Sequence, residues 1–316
     1  MTGQNIRVGV VGATGAVGTV ALELLAERGF EHVRAFASAK SAGTKVPYAG
    51  GELVVEEATP EALAAGDLDL CFFSVGTGPS RELVPAAVAG GAVCIDKSDA
   101  YRLADGIPLV VAGVNDGDLD GDGIVANPNC SAIQLACVLK PLLEAAGLAR
   151  VRLATYQAMS GAGDPGIERL RATAPMEADL AFDWEFEGEE FDEETKLRAE
   201  TRKILALPEL PLQAQCVRVP VLVGHSQAVW VETEEPLSPE DASAVLAAAP
   251  HVRLAEFPTP REAAGEDEVL VGRIRTDVTD GRGLALWSVC DNLRKGAALN
   301  AVQIAEALLE RRLLPA

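Results

Sequence analysis

The feature that most constrains this chain lies at its start. Residues 6–11 (Ile-Arg-Val-Gly-Val-Val) form a short apolar strand that runs into Gly12-Ala13-Thr14-Gly15-Ala16-Val17-Gly18. A helical pattern follows, with apolar Val20, Leu24 and Leu25. Strand, glycine turn and helix in that order make the opening unit of a dinucleotide-binding fold. There, backbone N–H groups and the positive end of the helix dipole hold a pyrophosphate. The Gly-x-x-Gly-x-x-Gly spacing departs from the commonest form, and a tight turn without a ligand is the competing reading. The setting between strand and helix strengthens the nucleotide reading, and Gly12, Thr14, Gly15, Ala16 and Val17 become candidate cofactor contacts.

The remaining pattern extends this start into a doubly wound sheet. Strands are expected at His32–Ala37, 68–75, 92–95, 109–114 and 123–126, with helical stretches at 60–65 and 80–89. Alternating β and α elements imply a parallel sheet. From about residue 149 the texture changes to longer strands, at 151–157, 213–220, 228–234 and 269–277. The last is expected to turn at 280–283 into 284–290. This suggests a mostly antiparallel second sheet. Residues 293–314 read as one helix packing back on the first domain. A chain of 316 residues suits two domains. They are expected at 1–128, completed by the terminal helix 293–316, and at 129–292.

The ribose end of a dinucleotide is read at the end of the second strand, where NAD-binding folds usually carry an acid. Here the stretch is Ala37-Ser38-Ala39-Lys40-Ser41-Ala42-Gly43. A cation and two hydroxyls with no carboxylate suit a 2′-phosphate, hence NADP, with an ordinary polar loop as the alternative.

A net charge of −20 argues against nucleic acid as a partner. The clusters at 187–194 and 232–235 read as a solvated acidic surface. If the substrate is an anion, the site must gather its own cations. No apolar run reaches the roughly 18 residues of a membrane span, and no basic leader precedes the first strand. Six scattered cysteines without a CxxC pair read as reduced thiols. Only three histidines argue against a metal centre. A cytoplasmic enzyme is expected.

Asn127-Pro128-Asn129-Cys130-Ser131 ends the last β-run of the first domain, and residues 132–143 read as a helix. A thiol at a helix N-terminus feels the dipole, which favours thiolate. Taken alone, a cysteine there is more often a small core residue; the sharp Asn-Pro-Asn turn tilts that judgement towards a nucleophile. The candidate base is His225, after Gly224 at the end of the strand carrying Arg218. His32 and His251 have no comparable setting.

These segments, with Gln157-Ala158-Met159-Ser160-Gly161-Ala162-Gly163, Glu193-Glu194-Thr195-Lys196, Glu200-Thr201-Arg202-Lys203-Ile204-Leu205, Cys216-Val217-Arg218-Val219-Pro220-Val221, Gly224-His225-Ser226 and Asp291-Asn292-Leu293-Arg294-Lys295-Gly296-Ala297-Ala298, resemble the aspartate-β-semialdehyde dehydrogenases over nearly the whole length. The resemblance implies a Rossmann-like NADP(H) domain and an α+β catalytic and dimerisation domain, in a homodimer or homotetramer. It implies reduction of L-aspartyl-4-phosphate to L-aspartate-4-semialdehyde and phosphate. That reaction serves lysine and diaminopimelate, threonine, methionine and isoleucine biosynthesis. Cys130 would carry an acyl thioester, His225 would act as general acid/base, and Gln157 would orient the acyl group. Arg218 would clamp the α-carboxylate and Glu193 would meet the α-ammonium. Arg102, Asn129 and Lys196 would hold phosphate. Ser38, Lys40 and Ser41 would meet the cofactor phosphate, and Ser160, Gly161 and Asn292 would line the nicotinamide side. Without the resemblance, Glu193 and Lys196 read as an exposed i,i+3 pair, and Arg102 as a surface charge.

Four departures stand out. Asp96-Lys97-Ser98-Asp99-Ala100-Tyr101-Arg102 puts an acid in the expected phosphate loop. Gly113 replaces a common glutamate, Lys40 a common arginine, and residues 167–192 run short. Two rival readings are an N-acetyl-γ-glutamyl-phosphate reductase, whose substrate has no ammonium for Glu193, and a silent nucleotide-binding paralogue, which should lack the nucleophile or the base.

Overall fold

The computed structural model describes residues 5–121, 123–172, 181–279 and 282–314. The chain forms two compact units, Met1–Pro128 with Ala297–Ala316, and Asn129–Gly296.

In the first unit the elements are β1 (Arg7–Val11), α1 (Ala16–Glu27), β2 (His32–Ala37), β3 (Lys45–Tyr48), β4 (Gly51–Glu57), α2 (Pro60–Leu63), β5 (Leu70–Phe73), α3 (Thr77–Ala89), β6 (Val93–Asp96) and β7 (Ile124–Ala126). The sheet order is β3-β4-β2-β1-β5-β6-β7. All neighbours pair parallel except β3 with β4. The inner strands β1, β5 and β6 are buried almost throughout, as a parallel sheet covered on both faces requires. The C-terminal helix Leu299–Glu310 buries Leu299, Val302, Ile304 and Leu308 in the same core as Leu22 and Leu25 of α1.

Two expectations fail, one in this unit and one in the segment that leads back into it. Residues 109–114 are not a strand: only Leu109 bridges Ala126, and the chain then turns. Side chains take the ladder's place. Val111 N–H donates to Asn115 Oδ1 and Ala112 N–H to Asn300 Oδ1, so buried donors are satisfied without a strand partner. The terminal segment is not one uniform helix either. A π-helical stretch, Arg294–Ala298, precedes the α-helix.

The second unit contains α4 (Cys130–Ala146), β8 (Arg150–Ala158), α5 (Gly163–Ala172), β9 (Phe186–Glu187), β10 (Glu190–Phe191), α6 (Asp192–Ile204), β11 (Leu212–Val219), β12 (His225–Glu232), α7 (Pro239–Ala248), β13 (Val252–Leu254), α8 (Pro260–Ala263), β14 (Val269–Thr276) and β15 (Gly283–Cys290). The sheet order is β11-β8-β12-β15-β14-β13. The three central pairings are antiparallel and the two edge pairings parallel. The expected turn at 280–283 falls partly on residues outside those described. β12 begins at His225, not near residue 228, because His225 pairs with Cys290 at the start of a full antiparallel register. His225 therefore opens its own strand and does not close the Arg218 strand.

The 187–194 cluster is not simply a solvated surface. Glu193 and Glu194 are buried. Along α6 the buried positions are Glu193, Glu194, Leu197, Glu200, Thr201 and Ile204, one face of a 3.6-residue period.

Candidate active site

The three glycines of the loop differ in their surroundings. Gly12 has φ +88°, and a Cβ there would lie 2.3 Å from the Ser74 carbonyl oxygen. A Cβ on Gly18 would lie 2.1 Å from Gly12 O, so α1 can approach the turn only without one. At Gly15 the nearest atom is 3.5 Å away. Gly15 is also the N-cap of α1, with no side-chain cap and no acid in the first turn. The first-turn N–H groups of α1 are thus left for an anion, which fits a pyrophosphate. At the end of β2, Ser38 and Lys40 are exposed on a turn closed by Ser41 N–H to Ser38 O at 2.8 Å. These residues can receive a phosphate.

Arg102 is buried, unlike a surface charge. Its Nε donates to Asn127 O at 3.1 Å, Nη2 donates to Lys97 O, and Nη1 pairs with Asp99 at 2.8 Å. The acid that stands in the expected phosphate loop is therefore bound to the arginine expected to hold phosphate.

In the second unit Cys130 is the first residue of α4 and is half-buried. Asn129 caps the helix, its Oδ1 accepting Ser131 N–H at 2.8 Å. The Asn129 N–H donates to Glu200 Oε2 at 2.6 Å, and its Nδ2 to both Glu193 oxygens at 3.1 Å. The turn before the thiol is thus held by two buried carboxylates of α6. A Cβ on Gly296 would stand 3.1 Å from that of Cys130, so the π-helical stretch comes close to the thiol only through a glycine.

Cys130 Sγ lies 3.1 Å from His225 Nε2. The other ring nitrogen, Nδ1, accepts the Ala158 N–H at 2.9 Å. His225 is fully buried, and burial first, then the Arg218 charge, holds its pKa well below the ordinary value. The Ala158 carbonyl accepts from Arg218 Nη1 at 3.0 Å, so the backbone N–H and C=O of the last residue of β8 tether the two side chains. Arg218 and Gln157 are register partners on β11 and β8, and Nη1 also donates to Gln157 Oε1 at 3.2 Å. Gln157 Nε2 donates to Glu193 Oε1 at 2.8 Å. A Cβ on Gly161 would sit 2.6 Å from Arg218 Nη1 and 3.0 Å from His225 Cε1.

Cys130, Asn129, Gln157, Gly161, Glu193, Arg218 and His225 are therefore brought together. Asn292 and Ser160 are hydrogen-bonded beside them. Asn292 Oδ1 accepts Gly224 N–H at 2.9 Å and its Nδ2 donates to Ser160 Oγ at 3.0 Å, which fixes the turn before His225. Lys196 pairs with Asp192 at 2.8 Å on α6. Unforeseen from the sequence are Glu200, Gly296 and the pair Asp183 and Trp184. Asp183 takes the Arg218 fork at 3.2 Å (Nε) and 2.8 Å (Nη2), and the Trp184 ring stacks on the guanidinium at 4.9 Å.

The arrangement can present a nucleophilic thiol with hydrogen-bond partners around it. Among the described residues no group of three or more His, Cys, Asp or Glu side chains could hold a metal ion.

Two family models match the chain: semialdehyde dehydrogenase, NAD binding domain, over residues 7–121, and semialdehyde dehydrogenase, dimerisation domain, over residues 139–295. Fold and site thus define a semialdehyde dehydrogenase. The aspartate-semialdehyde dehydrogenase of Corynebacterium melassecola is 43% identical, across 96% of this chain and 99% of its own. That of Bacillus subtilis is 40% identical, across 99% and 100%. The structure of aspartate semialdehyde dehydrogenase II from Vibrio cholerae complexed with ASA superposes with a TM-score of 0.90 at 38% identity, covering 97% of this chain and 99% of that one. The Candida albicans enzyme with NADP superposes with a TM-score of 0.80 at 26% identity, covering 98% and 99%. The chain belongs to the aspartate-semialdehyde dehydrogenase family. It is an oxidoreductase of aspartate-family amino-acid biosynthesis, EC 1.2.1.11, with an NAD(P)-binding domain and a dimerisation domain.

Proposed function

We propose that the chain reduces L-aspartyl-4-phosphate with NADPH to L-aspartate-4-semialdehyde and phosphate through a thioester on Cys130. The observation that carries this reading is the Cys130 thiol at the first position of α4, 3.1 Å from His225. A helix N-terminus favours thiolate, and the thiolate is the attacking species. Bound NADPH supplies the hydride. Gly12, Thr14, Gly15, Ala16 and Val17 hold its pyrophosphate, and Ser38, Lys40 and Ser41 its 2′-phosphate. Ser160, Gly161 and Asn292 line its nicotinamide side. Arg218 receives the substrate α-carboxylate, for which a guanidinium fork is suited. Gln157, bonded to both Arg218 and Glu193, orients the acyl group. Glu193 supplies the negative charge for an α-ammonium. Arg102, Asn129 and Lys196 receive phosphate.

The buried Glu193 carboxylate favours this substrate over an N-acetylated one, which has no ammonium to meet it. The working species is a homodimer or homotetramer built on the dimerisation domain. The outer face of the second sheet supports this, since it carries Tyr156, Trp230 and Trp287, with Phe257 stacked on Trp287. A cytoplasmic setting fits six cysteines that are all free.

The test is phosphate-dependent reduction of NADP⁺ with aspartate semialdehyde, lost in Cys130→Ala. Preference for N-acetylglutamate semialdehyde would remove the substrate assignment. Lys40→Glu should weaken NADP far more than NAD. Equal effects would remove Lys40 from the 2′-phosphate site.

A further inference from the structure

We infer that Asn300 and Asn127 are positioning residues of the phosphate site: Asn300 fixes Asn127, and the Asn127 carbonyl with that of Lys97 holds one edge of Arg102, so that phosphate meets this guanidinium from its Nη1 end. This rests on the reading of Arg102 as a phosphate ligand. All four residues belong to the first unit.

A guanidinium is a flat, rigid set of donors, so its pose decides what it can bind. Nε and Nη2 of Arg102 share one edge, and both point at main-chain oxygen. Nε donates to Asn127 O at 3.1 Å and Nη2 donates to Lys97 O. Nη1 is turned to the exposed Asp99 carboxylate at 2.8 Å. An anion that competes with Asp99 therefore arrives from that end. The arginine holds this pose only while both carbonyls keep their direction.

The Lys97 carbonyl is kept in place locally. Its own N–H donates to Phe73 O at 3.1 Å. The buried Asp96 before it takes the hydroxyls of Ser80 at 2.7 Å and Ser98 at 2.6 Å, and Ser98 Oγ accepts the Ala100 N–H at 3.1 Å. Asn127 is held differently. Its N–H donates to Asp96 O at 2.7 Å, and its side chain is gripped from the far end of the chain. Asn300 Oδ1 accepts the Ala112 N–H at 3.0 Å, while Nδ2 donates to Val110 O at 3.0 Å and to Asn127 Oδ1 at 2.7 Å. A main-chain donor on one side and a main-chain acceptor on the other leave this amide a single orientation. Asn127 must then turn its oxygen to Asn300, which leaves its Nδ2 facing Pro128 O at 3.5 Å. Asn300 is 0% exposed, so its effect on an anion must pass through Asn127 and Arg102.

The experiment measures phosphate-dependent reduction of NADP⁺ with aspartate semialdehyde, varying each reactant in turn. It uses the full-length wild type, Asn127→Ala, Asn300→Ala, the double variant and Arg102→Ala, with melting temperatures on the same preparations. Misplacing a binding group by about an ångström costs up to about a hundredfold. Each single asparagine variant should therefore raise KM for phosphate by about tenfold and leave kcat and the other two KM values near wild type. The double variant should be no worse than either single one, because both cut the same relay. A lower melting temperature with an unchanged phosphate KM would mean that Asn300 only packs its helix, and overturns the proposal. So does a double variant whose KM rise is the product of the two single rises. An unchanged phosphate KM in Arg102→Ala strikes the reading of Arg102 itself, and the proposal with it. A rise in Arg102→Ala without one in the asparagine variants strikes the proposal alone. If Asn300→Ala does not fold, Asn127→Ala cuts the same bond from the other side and decides by its phosphate KM.

Discussion

Arg218 and Asp183 meet at two points: Nε lies 3.2 Å from Oδ1 and Nη2 lies 2.8 Å from Oδ2. A substrate carboxylate at Arg218 would need the same two donors. With Arg218 proposed to clamp the substrate carboxylate and Arg102 proposed to hold phosphate, Asp183 and Asp99 would each compete with the substrate group for its arginine. An ion pair with one partner partly exposed is worth roughly 0.5–1 kcal/mol, or about a two- to fivefold change in an equilibrium. Asp183→Asn should lower KM for aspartate semialdehyde by that factor and leave KM for phosphate alone. Asp99→Asn should do the reverse. Steady-state kinetics on both variants with each substrate varied would decide it, and unchanged KM values would mean that neither acid competes.

Glu200 is buried to 1% exposure, and its carboxylate takes the Asn129 N–H that adjoins the nucleophile. Removing the acceptor leaves a buried donor unpaired, at a cost of about 1–3 kcal/mol. Glu200→Leu should lose about that much stability and should also lower kcat by displacing Cys130. Glu200→Gln keeps an acceptor oxygen of the same reach and should recover most of both. Urea titrations with kcat on the same preparations test this. A Gln variant as impaired as the Leu variant would show that the negative charge matters, not the hydrogen bond.

Much of this site was legible because it is local. The strand, glycine loop and helix are contiguous, and Cys130, Gln157, Arg218 and His225 each sit in a recognisable segment. Glu200 was not, since α6 looks like a charged surface helix. The available signal was its spacing: Glu193, Leu197, Glu200, Thr201 and Ile204 fall on one face, so two carboxylates share a stripe with a leucine and an isoleucine. The pairing of Asp183 with Arg218 joins residues 35 apart through a contact that no periodicity encodes. Residues 109–114 misled because an apolar run suits a buried strand as well as a buried turn. Which of the two forms depends on Asn300, from the far end of the chain.

The glycine loop makes a contrast between neighbours. Gly18 has Gly12 O at 2.1 Å from its would-be Cβ, whereas Gly15 has nothing nearer than 3.5 Å. Gly18→Ala should force α1 off the turn, costing about 1–3 kcal/mol as overpacking usually does, and should abolish NADP binding. Gly15→Ala should fold with near-normal stability and lose cofactor affinity alone, since only the ligand approaches that side. Thermal melts with and without NADP⁺ separate the two. Equal melting temperatures for both variants would contradict the difference in packing.

The buried His225 gives stability a pH dependence of definite sign. Its folded pKa lies below the ordinary value near 6.5, through burial first and Arg218 second. The unfolded chain therefore binds the proton more readily than the folded one. Stability is complete above the unfolded value and falls as pH drops below it, with a slope approaching one proton, about 1.4 kcal/mol per pH unit. His225→Gln removes the titrating group and retains a polar side chain of similar reach. Between about pH 6 and about pH 5 the wild type should lose about 1 kcal/mol more than the variant, while both respond alike above about pH 7.5. Urea midpoints across that range measure the difference. A constant offset between the two proteins at every pH would mean that His225 titrates in the folded enzyme as it does in the unfolded chain.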